Sequence, residues 1–227
     1  MKISPVLLTV FAFSALVAAG SASAANTPAT PLVPANPNLV VNGSFEANTF
    51  NGSFTQLSAV NGWTSSNGVF ELQKGANQGG ISGFMPNAAD GIQYLELNNN
   101  NLSSVSQNLA TKAGGLYSLS FSFAGRPDTP NQLPSLINVY WGNTLLNPSP
   151  LVGTDTGSWQ NFSLSTLTAQ GALTSLRFES VGPTGAPTFG SYLDNVTVTA
   201  VPEPESYAML LPGLALVGFM ARRKKAA

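Results

Sequence analysis

A period of two dominates the middle of the chain. The clearest run is Tyr117-Ser118-Leu119-Ser120-Phe121-Ser122-Phe123, with large apolar side chains at odd positions and serine at even ones. That spacing predicts a strand with one buried face and one wet face. Similar short runs predict strands at 39–41, 68–73, 93–97, 104–109, 136–141, 158–164, 175–179 and 191–200. Turn pairs punctuate them: Asn51-Gly52, Asn61-Gly62, Asn67-Gly68, Asp90-Gly91 and Gly142-Asn143. Helical periodicity is absent between 39 and 200. About nine short strands in one domain predict an antiparallel two-sheet sandwich.

The two ends follow other patterns. Lys2 precedes an apolar stretch from Val6 to Ala19, and Ala22-Ser23-Ala24 is a small-residue cleavage site. Residues 1–24 therefore read as a helical secretory signal peptide, cut between Ala24 and Ala25. Residues 25–38 carry Pro28, Pro31, Pro34 and Pro37 at the three-residue period of polyproline II, so this stretch is an extended linker. At the far end, Pro202-Glu203-Pro204 leads into an uncharged, mostly apolar segment from Ser206 to Ala221. Arg222-Arg223-Lys224-Lys225 follow. Apolar, then basic, then stop is a stop-transfer pattern with the basic cluster on the cytoplasmic side. The segment falls short of the roughly 20 residues of a full span, so a short, marginal membrane helix is expected there, within a C-terminal signal of 201–227.

This C-terminal end resembles the PEP-CTERM sorting domain of Gram-negative bacteria. The likeness lies in the tripeptide Pro202, Glu203 and Pro204, the apolar helix, and the basic cluster with Arg222 and Arg223, in that order behind a signal peptide. It implies recognition and processing near the tripeptide by a membrane-embedded exosortase, after passage through the secretion machinery. It also implies a fate at the cell surface or in an exopolysaccharide matrix, with transient anchoring in the inner membrane.

Composition narrows the chemistry. The 227 residues include no Cys and no His, and only 8% are charged. No imidazole base, Cys nucleophile, disulfide or usual zinc site is available. Between 39 and 200 four basic residues face eight acidic ones, a net of −4. Such a surface excludes a nucleic-acid binder. Its Asn, Ser and Thr suit carbohydrate. No Gly-x-Ser-x-Gly elbow, P-loop or dinucleotide fingerprint is present, so the expectation is a non-enzyme.

Residues 39–200 resemble the galactose-binding-like jelly roll shared by carbohydrate-binding modules and DUF642-type domains. The likeness rests on Asn38-Leu39-Val40-Val41-Asn42-Gly43-Ser44-Phe45-Glu46, Gly62-Trp63, Gly115 to Phe121, Ser158 to Phe162, and Tyr192 to Val198. It implies an all-β jelly-roll β-sandwich with Trp63 and Trp159 as core anchors. It also implies a structural calcium held by Glu46 and Asp194, with Glu71 a possible third ligand; the alternative is that these carboxylates bind loop N–H groups. For glycan contact the candidates are Tyr140 and Trp141, of which strand alternation points one outward, the loop aromatic Phe84, and Arg126. Packing, or for Arg126 a salt bridge to Asp128, is the competing role. The function expected is polysaccharide binding without catalysis. The alternatives are a structural or adhesive matrix component and, further off, a glycoside hydrolase.

Overall fold

The computed structural model describes residues 36–80, 86–154 and 156–202. The signal peptide with Ala22 and Ala24, most of the Pro-rich linker, and the tail from Glu203 onward lie outside these residues. So do both expected flanking helices and Phe84. No helix among the described residues is long and apolar enough to cross a membrane.

Among the described residues, twelve strands form two antiparallel sheets. The first has the order β1-β3-β4-β12-β6-β10, with β1 at Phe54–Leu57, β3 at Phe70–Lys74, β4 at Gln93–Glu96, β12 at Tyr192–Ala200, β6 at Leu116–Ala124 and β10 at Gln160–Thr168. The second has the order β2-β5-β11-β7-β8, from β2 at Thr64–Ser65 and β5 at Ser104–Ala110 through β11 at Leu173–Gly182 and β7 at Ser135–Trp141 to β8 at Thr144–Leu145. The short β9 at Leu151–Gly153 also pairs with β7.

The serine-spaced run becomes β6. Tyr117, Leu119, Phe121 and Phe123 enter the core, while Ser118 and Ser120 stay half-buried on the outer face. Phe121 stacks on Phe162 of β10 at 5.2 Å and meets Phe178 of β11 edge-on at 5.0 Å, which ties the two sheets together. Each such buried ring contributes about 2–3 kcal/mol through the water it leaves. Trp63 is a core anchor as expected. It packs between Phe45 and Phe178, and its indole N–H donates to the Asn42 carbonyl at 3.0 Å.

Residues 39–41 are not a strand. Two of their N–H groups go to side chains instead of a ladder: Val40 to Asn38 Oδ1 and Val41 to Gln107 Oε1. Gln107 Nε2 returns a bond to the Val41 carbonyl, so one amide side chain satisfies both backbone groups of Val41. Leu39 N–H does reach β12, at the Val198 carbonyl.

Candidate functional site

Two regions concentrate polar chemistry, one on the outer face of each sheet. On the first sheet, Glu71 of β3 and Glu96 of β4 stand directly opposite each other. Gln73 Nε2 donates to both, at 3.1 Å to Glu71 Oε1 and closely to Glu96 Oε2. Gln56 Nε2 donates to the remaining Glu71 oxygen at 3.0 Å. Arg126 lies in the loop after β6 and puts Nη1 2.9 and 3.0 Å from the two Glu96 oxygens. Its Nε and Nη2 reach Asp128 at 2.7 and 3.3 Å, and Phe189 lies against its guanidinium. The Glu96 side chain has no exposure to water and the Arg126 side chain 17%. Burial raises the Glu96 carboxyl well above the usual carboxylate range against the pull of Arg126. Burial works against the Arg126 charge, but Asp128 and Glu96 more than offset it and hold its pKa up.

The same recess contains Tyr94 and Tyr192, packed at 4.8 Å, with Trp159 edge-on to Tyr94. Trp159 Nε1 donates to the Asn87 carbonyl at 2.6 Å and so fastens the loop after β3 over the rings. Trp159 is thus a satellite anchor outside the main core. The Tyr94 hydroxyl and the Asn98 amide, both buried, find no hydrogen-bond partner among the described residues. Desolvation pushes both tyrosine hydroxyls to higher pKa.

The three acids expected at a calcium site are each engaged by hydrogen-bond donors. Glu71 accepts from Gln73 on its own strand and from Gln56 on β1. Glu46 Oε1 accepts the N–H groups of Ile92 and Gln93, both at 2.8 Å. Asp194 Oδ2 accepts from Asp90 N–H at 2.9 Å and Oδ1 from Asn195 N–H at 2.7 Å. Gln93 Nε2 grips the Phe45 and Asn48 carbonyls. The oxygens that a hard cation would collect therefore face N–H donors. Among the described residues no three acids gather in a metal-holding group. Burial raises Asp194 to about 7, against the opposing backbone N–H bonds.

The second outer face is open. Tyr140 is half-buried there, and the Arg177 guanidinium lies 3.7 Å from its ring centre. Cross-strand pairing sets Leu145, Tyr140, Arg177, Ser106 and Thr64 in one row over five strands, about 19 Å at the usual strand spacing. Asn138, Glu179 and Ser104 form the adjacent row. Arg177 Nη1 bonds Glu179 Oε2 at 2.9 Å. Beyond them a groove of about 480 Å³ is lined by Ser66, Leu102, Ser103, Ser104, Glu179, Ser180 and Val181.

Of the glycan candidates, Tyr140 is the ring that strand alternation turns outward. Trp141 faces inward. It is 4% exposed, packs on Tyr117 at 5.6 Å and donates its indole N–H to the Thr168 carbonyl, so no ring face remains for a sugar. Arg126 has the salt-bridged role through Asp128, with Glu96 as a second partner the sequence did not indicate. Nor does the sequence single out Arg177 and Glu179. Their only signal is that they share the outward parity of β11, which the run Leu176-Arg177-Phe178-Glu179 displays.

Comparison with known proteins bears on the whole domain. Residues 38–199 match the family described as "Protein of unknown function (DUF642)", and residues 200–224 match the PEP-CTERM protein-sorting motif. No curated protein matches the chain. Among solved structures, TmCBM61 in complex with beta-1,4-galactotriose is 14% identical, with a TM-score of 0.47 over 73% of this chain and 99% of that one. The CBM22-1 xylan-binding domain of Paenibacillus barcinonensis Xyn10C is 17% identical, with a TM-score of 0.46 over 74% and 97%. A family 35 carbohydrate binding module from Clostridium thermocellum is 15% identical, with a TM-score of 0.42 over 66% and 100%. The chain belongs to the DUF642 family and ends in a PEP-CTERM sorting motif, the mark of an exported, exosortase-processed protein.

Proposed function

We propose that this exported protein binds polysaccharide, without catalysis, through the open face of its second sheet. Its place would be the cell surface or exopolysaccharide matrix of a Gram-negative bacterium. The observation that carries the reading is the strip itself: a Tyr140–Arg177 platform flanked by hydroxyl and amide side chains and running toward the groove at Ser104 and Glu179. Planar groups cover the apolar face of a pyranose, and the flanking Asn138, Ser104 and Ser106 offer hydrogen bonds to its hydroxyls. A strip across five strands suits an extended chain better than a single sugar. The opposed carboxylates Glu71 and Glu96 support the non-catalytic reading. Gln56, Gln73, Arg126 and the Gly190 N–H occupy their oxygens.

The test is a glycan array probed with the mature chain, including the producing bacterium's own exopolysaccharide. Tyr140→Ala and Arg177→Ala should each weaken binding about ten-fold, the worth of one good stacking contact, with the melting curve little changed. No binding to any polysaccharide would overturn the proposal. So would binding that both substitutions leave intact.

A further inference from the structure

The folded domain and the sorting motif share a boundary with no spacer. Strand β12 runs to Ala200, and Val201 N–H still bonds the Leu116 carbonyl at 2.8 Å. The next residue, Pro202, opens the tripeptide. Only residues 202–205 separate that last backbone bond from the apolar segment that starts at Ser206. Fully extended, they span at most about 14 Å.

The end of β12 is clasped from both sides. On one side Thr199 and Ala200 pair with Ser118 and Tyr117 of β6, and the hydroxyls of Ser118 and Thr199 meet at 3.0 Å. On the other lie the last residues of the Pro-rich linker and Leu39. Leu39 N–H donates to the Val198 carbonyl, Val198 N–H to Asn38 Oδ1, and Asn36 Nδ2 to the Ala200 carbonyl. A protease cleft takes its substrate as an extended strand over several residues, with the backbone groups free. In the folded chain the residues just before Pro202 do not meet that condition.

From this geometry we infer that exosortase acts on the chain before the end of β12 docks, and that closure of the Asn36–Leu39 clasp ends the window for processing. The inference rests on the sorting motif and does not depend on the polysaccharide reading. The need to open the bonds from Leu116, Asn36 and Ser118 to the end of β12, at about five-fold each, suppresses cleavage of folded precursor roughly a hundred-fold.

The experiment mixes folded, detergent-solubilised full-length precursor with exosortase-containing membranes and follows the processed fraction by mass spectrometry. A flexible Gly/Ser insert of about twelve residues between Val201 and Pro202 frees the motif and alters no folded residue. The insert should raise the rate roughly a hundred-fold. Asn38→Ala, which removes the acceptor for Val198 N–H, should raise it several-fold. Equal rates for wild type and the insert variant would overturn the inference, whatever Asn38→Ala does to folding.

Discussion

Replacing Arg126 by alanine would strip Glu96 of its cationic partner while leaving it where no water reaches. Glu96 would retain Gln73 Nε2 and the Gly190 N–H at 2.7 Å, two donors for a buried carboxylate. Removing one member of a buried ion pair costs about 3–5 kcal/mol. Asp128, with a side chain 34% exposed, would return to water at little cost, so nearly all of the loss belongs to Glu96. For a domain of this size the melting temperature should fall by roughly 6–20 °C. The loss should also depend on pH. Glu96 titrates above the usual carboxylate range in the folded state, and more so without Arg126, so the native state holds a proton that the unfolded state releases. Stability of the variant should therefore decline as pH rises from the unfolded glutamate value, and Arg126→Ala should do less harm in acid than at neutrality. Urea denaturation at both pH values measures this. Adding Glu96→Gln to Arg126→Ala removes the buried charge and should recover about 2 kcal/mol or more, read as a coupling energy in a double-mutant cycle. An Arg126→Ala variant within 1 kcal/mol of wild type, or a double variant no more stable than the single one, would refute the electrostatic account.

Other perturbations separate the remaining contacts. Asp194 is raised from 3.8 to about 7, so the native state binds the extra proton between those values. Stability should be greatest in acid and fall by up to about 4 kcal/mol as pH climbs through that window, and Asp194→Asn should flatten the slope in chemical denaturation. Gly91 has φ +77°, and a Cβ there would lie 2.4 Å from Glu46 Oε1. Gly91→Ala should cost about 2–4 kcal/mol through left-handed strain and displacement of the carboxylate from the Ile92 and Gln93 N–H groups. Because the Glu46 and Asp194 oxygens face N–H donors, chelation should leave the melting curve within about 1 °C. A calcium-dependent rise would show that Glu46 and Asp194 turn toward a cation.

Local pattern was legible and long-range partnership was not. The parity of β6 follows from its own serines. For β7 the polar Asn138 fixes the phase, so Tyr140 on its side faces out and Trp141 joins Ile137 and Val139 inside. The pairing of Arg126 with Asp128 could be read from two residues of spacing. Its bond to Glu96, 30 residues away, could not. Gln93-Tyr94-Leu95-Glu96 looks like a half-wet strand, yet all four residues are buried. The loop over Tyr94 and the Arg126 loop cover the face that alternation assigns to water. Residues 39–41 fail as a strand for a similar reason, since Gln107, 66 residues from Val41, supplies what a neighbouring strand would have given.

The few charges of the domain are largely spent inside it, and this bears on what the open face can bind. Arg126 is held by Glu96 and Asp128, and Arg177 by Glu179 and the Tyr140 ring. Lys74 lies over the Phe50 ring and donates to the Phe50 carbonyl. What the second face presents is therefore a neutralised guanidinium–carboxylate pair among hydroxyls and amides. A neutral polysaccharide bound there should show an affinity that barely changes between low and high ionic strength, since screening acts on unpaired exposed charges. Titration calorimetry at two salt concentrations measures this. A steep fall in affinity with salt would mean that Arg177 leaves Glu179 for an acidic polymer, and it would replace the neutral ligand class with a charged one.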